Sequence, residues 1–191
     1  MNRSEAFSIV QTIALPQRGL FTRNQARLAG INDMWLARMK DDEIEQIQHG
    51  VWCFVDAPDD RYRVARTAIL LLDTDGASFA KSLRQPRCVI SHLTAAVIHG
   101  MCEQLPARNQ RPVVTTASKI VTTRRVEPIA GRLTPSEVVW IDGIPVTSTQ
   151  RTVADLLPME FGHIHLGGPQ HEWHERHERH DDRQVSRPTG T

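Results

Sequence analysis

Six of the nine histidines lie beyond residue 160, and four of them, His171, His174, His177 and His180, recur at every third position. Imidazoles at that density can hold transition-metal ions. The spacing does not make the zincin motif, which needs a second histidine four residues after the first: Glu175 follows His171 at that distance and Glu178 follows His174. Gly167-Gly168-Pro169 precedes the tract and Ser-Arg-Pro-Thr-Gly-Thr ends the chain. Residues 158–191 are therefore expected to be a disordered His-rich tail with no resident metal. His92 and His99 are seven apart on one expected helix and share a face, but no cysteine or carboxylate pair close in sequence completes a catalytic set. They read as helix-end residues that bond backbone groups. Ser91 and Ser148 read as helix caps rather than nucleophiles. No GxxxxGK[ST] or GxGxxG phosphate loop, no GxSxG elbow and no kinase HRD or DFG set occurs, so neither a catalytic residue nor a cofactor is expected.

The chemistry that remains is ionic. Net charge is only +1, but it is unevenly spread: Lys plus Arg against Asp plus Glu stands at 6 to 7 in residues 1–56, 13 to 9 in 57–157 and 4 to 6 in 158–191. Within the first segment, Arg23, Asn24 and Arg27 are of the right type for phosphate contacts. Asp33, Ala37 and Lys40 fall on the outward face of a following helix, with Arg38 at its rim, and His49 sits in a tight turn. In the middle segment, Lys119, Arg124, Arg125 and Arg132 gather the basic excess and are expected to meet either an acidic protein surface or DNA.

These residues need elements to hold them. Thr22 and Gln25 have the capping-box spacing, so a helix is expected to start at Arg23. Gly30 can end it, and Asn32 can cap the next, from Asp33 to about Asp41, with Trp35, Leu36 and Met39 inward. Glu43–Gln48 and Val51–Val55 flank His49-Gly50 as a hairpin. An earlier helix, capped by Ser4, carries Phe7, Val10, Ile13 and Ala14 and stops before Pro16. This order outlines a winged helix-turn-helix over residues 1–57, in which the second helix of the pair reads the major groove. A linker is expected near Asp56–Asp60, followed by a helix over Arg61–Leu72 with Val64, Ala68, Leu71 and Leu72 inward. Cys88–Ile90 reads as a buried segment, His92–His99 as a helix, and Val113–Ala117, Lys119–Ile129 and Glu137–Thr147 as strands with a turn at Asp142-Gly143. Ser148 caps a last helix carrying Val153, Leu156 and Leu157. The expected class is α+β, with the winged helix followed by a second mixed α/β domain over residues 58–157. Cys53, Cys88 and Cys102 are odd in number and lack CxxC spacing, and the run at 68–72 is too short to span a bilayer. A cytoplasmic location with reduced thiols and no membrane contact is expected.

The succession GLFTRNQARLAGI, HGVW, VISHLTAAVIHGM and IDGIPVTSTQRTVADLL resembles the AbiEi-type antitoxins, winged-helix regulators of type IV toxin-antitoxin systems. The resemblance covers about residues 5–157, and the last of these blocks is its most specific part. It implies a repressor that binds repeated sites in its own promoter and also neutralises a cognate nucleotidyltransferase-like toxin. By the same resemblance the first domain binds DNA and the second carries antitoxicity. The expected wing departs from the pattern, since EIEQIQHGVW has carboxylates where relatives have arginines. Two alternatives stand beside the antitoxin-repressor: a neutraliser that binds the toxin without binding DNA, and an enzyme that inactivates the toxin by covalent modification.

Overall fold

The structure, a computed structural model, describes residues 1–79, 86–102, 111–117 and 124–158. Lys119, much of the strand expected over Lys119–Ile129, and residues 159–191 of the expected tail lie outside the described residues. Six α-helices and eight strands in two sheets make the described part an α+β protein.

The first helix, α1 (Arg3–Ala14), has its cap two residues before the expected Ser4. Asn2 and Glu5, not Ser4, form its capping box, each satisfying the other's backbone N–H. Strand β1 (Leu20–Thr22) leads into α2 (Arg23–Leu28), where Thr22 and Gln25 make the expected reciprocal bonds at 3.0 and 2.8 Å. Gly30 takes φ +85°, and Asn32 accepts the Trp35 N–H at 3.2 Å to begin α3 (Asp33–Met39). Strands β2 (Ile44–Gln48) and β3 (Val51–Phe54) then form the hairpin, with a bulge between Gln46 and Gln48. β1 pairs antiparallel with β3, so the first sheet runs β1-β3-β2.

Strands β1 and β3 are buried on both faces, which explains why β3 reads as the unbroken apolar run VWCF, whereas edge strand β2 exposes Glu45 and Gln46. Phe21 and Trp52 point into a core with Ala6, Val10, Ile31, Leu36, Met39 and Ile44 from the helical side. Leu20, Val51 and Cys53 point the other way, onto Leu70 of α4 (Arg63–Leu72). The expected inward face of α4 is corrected here. Ala68 is buried as expected and Leu71 and Leu72 are half-buried against the core, but Val64 is 62% exposed, and Ala65, Arg66, Thr67, Ile69 and Leu70 are buried instead. The helix is enclosed because its other side meets a second core.

This second core belongs to a five-stranded mixed sheet, ordered β6-β5-β4-β8-β7. Its strands are β4 (Cys88–Ile90), β5 (Val113–Thr116), β6 (Glu127–Ala130), β7 (Val138–Ile141) and β8 (Ile144–Thr147). β4 runs antiparallel to β5 and parallel to β8, and β5 runs parallel to β6. Asp142 and Gly143 both have positive φ, the geometry of a two-residue hairpin turn between β7 and β8. Helix α5 (His92–Ile98) follows β4, and α6 (Thr149–Leu156) follows β8, capped by Ser148 through the Arg151 N–H at 3.3 Å. Of the apolar positions expected to anchor α6, Val153 is 45% and Leu157 79% exposed, while Thr152 is buried against Thr147.

Asp60, at the end of the expected linker, is buried and ion-paired with the fully buried Arg66 at 2.8 Å. Arg66 also donates to the Asp142 carbonyl at 2.6 Å and its carboxylate at 2.7 Å. Arg18, in the turn before β1, closes on the same carboxylate at 2.5 Å. The buried Arg66 guanidinium thus ties α4 to the β7–β8 turn, and Arg18, on the same Asp142 carboxylate, links that turn to the start of the first sheet. Among the described residues, no helix is long and apolar enough to cross a membrane.

Candidate nucleic-acid interface

Arg23 organises the N-terminal surface. Its backbone N–H donates to Gly50 at 2.9 Å, fixing the first residue of α2 against the β2–β3 turn. Its guanidinium makes a two-pronged ion pair with Asp33, the first residue of α3, with Nε–Oδ1 at 2.6 Å. The start of α2, the start of α3 and the hairpin turn therefore share one end of the sheet, and Arg23, Asn24, Asp33 and His49 are exposed there together. The hydrogen bonds from Arg23 hold the Asp33 carboxyl below its ordinary value, with Arg27 adding a weaker pull. Ala37 and Lys40 continue outward along α3, while Trp35, Leu36 and Met39 face the core.

The sequence groups Arg38 with this face only at its rim, and the structure shows why. Its guanidinium lies 4.8 Å from the Trp35 ring centroid, held to one side of the helix by the aromatic face. Arg23 and Asp33 neutralise each other, and the other cations of this surface are Arg27, Arg38 and Lys40, all exposed. The two carboxylates that open the hairpin are unequal. Glu43 is bound to Arg3 at 3.2 Å, together with Asp42 at 2.9 Å, and Glu45 is exposed.

The basic residues of the second sheet do not form one patch. Arg124 and Arg125 precede β6, and Arg132 follows it. Four extended residues at about 3.3 Å each place them more than ~10 Å apart. Arg125 lines a cavity of about 190 Å³ that also touches Ile47, Gln48 and Arg63. Arg132 lines a different one, of about 210 Å³, with Arg87, Thr115 and Leu133. Sequence alone gives no sign of this separation, because β6 is short and is placed by its parallel pairing with β5.

Sequence reading also missed a polar cluster around His92. Its Nδ1 lies 3.0 Å from Ser91 Oγ and 3.9 Å from Asp155 Oδ2. Asp155 is held by Arg151 Nε at 2.7 Å, and Arg151 also reaches Glu137 at 2.6 Å. Thr115 donates to Ser91 Oγ at 2.8 Å, so that oxygen is shared between Thr115 and the His92 ring. Ser91 is thus spent inside the cluster, and its side chain does not cap α5 as expected. The hydroxyl and the carboxylate both face the same ring nitrogen. A relay needs them on opposite nitrogens, so this is not a nucleophile-base-acid array. Burial pushes the His92 imidazole down, against Asp155, which pulls it up. The seven-residue spacing to His99 gave no hint of Asp155, which lies on another helix. His99 does bond a backbone group, through Nε2 to the Thr147 carbonyl at 2.7 Å.

Burial pushes the thiols of Cys53 and Cys102 up, away from the thiolate form. Among the described residues, no group of three or more His, Cys, Asp or Glu is placed to hold a metal ion. No protein-family model matches the chain, and no curated protein sequence matches it.

Proposed function

We propose that this protein is a winged-helix transcriptional repressor that is also the antitoxin of a type IV-like toxin-antitoxin pair. The observation that carries the DNA-binding half is the Arg23 junction. It brings the first turns of α2 and α3 and the β2–β3 turn to one exposed edge, the arrangement a winged helix uses to set a recognition helix in the major groove and a wing beside it. In this reading Asp33, Ala37 and Lys40 face base edges. Arg23, Asn24 and Arg27 approach phosphates, and His49 rides on the wing. The toxin-neutralising half rests on the resemblance of the four segments quoted above, which fall on β1–α2, the start of β3, β4–α5 and β7–β8–α6. The partners are then promoter DNA with repeated sites and a nucleotidyltransferase-like toxin.

The test measures binding of the full chain to the DNA upstream of its gene, and to the product of the adjacent gene, in parallel. Arg38→Ala combined with Lys40→Ala should weaken promoter binding by about 1–3 kcal/mol if either residue makes a bidentate base contact. It should leave binding of the neighbouring protein intact. Unaltered promoter affinity in the double variant would remove the assigned reading face. A chain that binds the neighbouring protein but no DNA would make it a pure protein-binding neutraliser.

A further inference from the structure

Helix α3 turns Trp35, Leu36 and Met39 into the core, and their positions fix which way the helix faces outward. At about 100° per residue, the direction opposite their mean falls between Met34 and Ala37, each within about 35° of it. Asp33, Arg38 and Lys40 stand about 70° or more away. The middle of the exposed face is therefore apolar, a thioether beside a methyl group, with charge only at its margins. Met34 is 49% exposed in the first turn of the helix and takes no part in the core that the rest of α3 closes. The polar groups that flank it are engaged. The Arg23 fork holds the Asp33 carboxylate, with Nε–Oδ1 at 2.6 Å, and the Trp35 ring holds the Arg38 guanidinium aside, 4.8 Å from its centroid.

We propose that Met34, with Ala37 beside it, is a specificity-determining residue that packs on thymine methyl groups in the major groove. The inference rests on the DNA-binding reading above and deepens it by naming what the centre of α3 reads. A recognition helix of this class meets base edges with its N-terminal residues, and Met34 is the second residue of α3. Neither a thioether nor a methyl group donates a hydrogen bond. Among the base edges of the major groove, the apolar feature left for them is the C5 methyl of thymine. An unbranched side chain with a polarizable thioether moulds to such a group, and the contact removes apolar surface of both from water. The ligand chemistry is thus an operator with thymine set against the first turn of α3, a preference that no phosphate contact supplies.

The experiment titrates the full chain against the upstream duplex and against the same duplex with deoxyuridine in place of every thymidine. That change removes the C5 methyl groups and leaves the hydrogen-bonding edges as they are. One buried methyl group is worth about fourfold in affinity, so the wild type should bind the deoxyuridine duplex at least about fourfold more weakly. Met34→Ala should shrink that ratio by about fourfold, through weaker binding to the thymidine duplex and unchanged binding to the deoxyuridine one. Met34→Leu keeps an apolar side chain of similar volume and should retain most of the ratio. The proposal is overturned by a ratio that is the same in Met34→Ala as in the wild type, or by a loss in Met34→Ala that is equal on the two duplexes. A Met34→Leu variant as blind to the methyl groups as Met34→Ala overturns it too. If Met34→Ala keeps the discrimination and instead weakens binding of the adjacent gene product, the apolar face serves a protein and the proposal falls. If the wild type binds neither duplex, the DNA-binding reading itself has failed, whereas equal binding of both duplexes by the wild type sinks this inference alone.

Discussion

Arg66→Met is the sharpest test of how the two halves of this chain are held together. The substitution keeps most of the side-chain volume but removes a guanidinium that is 1% exposed. It strands Asp60, 3% exposed, with no cation partner. The Asp142 carbonyl and carboxylate lose their 2.6 and 2.7 Å bonds at the same time. Removing one member of a buried ion pair costs about 3–5 kcal/mol, because the other charge stays desolvated. In a chain of this size each kcal/mol moves the melting temperature by about 2–4 °C, so a cost near ~4 kcal/mol means a drop of about 8–16 °C. The assay is urea and thermal unfolding of wild type, Arg66→Met, Asp60→Ala and the double variant. Because the penalty is an uncompensated charge, the double variant should be more stable than the sum of the single losses implies, by ~2 kcal/mol or more. Asp142→Asn probes the exposed end of the same network. It keeps a residue suited to the positive φ of the turn and should cost ~1 kcal/mol or less, since that carboxylate is 34% exposed. A loss below ~1 kcal/mol for Arg66→Met, or strict additivity in the cycle, would show that the buried arginine is not what joins α4 to the β7–β8 turn.

Other outcomes follow from single contacts. Thr22→Ala removes the acceptor for the Gln25 N–H and the bond to the Thr74 carbonyl, and should destabilise the chain by about 1–2 kcal/mol in chemical denaturation. Gly19 and Gly30 share φ +85°, but a Cβ on Gly19 would stand 2.7 Å from Ala57 Cβ, whereas Gly30 has open space. Gly30→Ala should therefore cost only the left-handed backbone term of about 1–2 kcal/mol, and Gly19→Ala clearly more by the same melts. His92 is held below its ordinary value by burial, so the unfolded chain binds more protons as pH falls through about 6.5. Its contribution is complete above that pH and is lost below it. Melting curves at about pH 7.5 and about pH 5 should show a smaller drop for His92→Gln than for wild type. An equal drop in both would clear His92 of the effect. Glu137 and Asp75, both held near about 2, leave that window alone because their unfolded forms take up protons only below about 4.5.

What the sequence determined by itself is everything that closes within a few residues. The Thr22–Gln25 box, the Asn32 cap, the Gly30 stop, the His49-Gly50 and Asp142-Gly143 turns and the Ser148 cap are bonds between neighbours. Their geometry depends on residue type and spacing alone. Even the one misplaced cap was legible, since Asn2 and Glu5 have the capping-box spacing that Ser4 lacks. Of the candidate surface, the outward set on α3 follows from helical period for the same reason. Tertiary structure decided the rest, through partners far apart in the chain. Periodicity put Val64 inside α4 and could not place Arg66 there, because a buried cation is tolerated only where carboxylates 6 and 76 residues away reach it. The strand β1 is three residues long and exists because β3 pairs with it. Asp155 meets His92 only because α5 and α6 pack together, and Arg125 parts from Arg132 only because β6 runs parallel to β5 between them. A charge carries no mark in the sequence of which distant charge will face it. The pairing of strands and the packing of helices supply that information, so the basic residues could be counted from the chain but sorted into separate surfaces only by the fold.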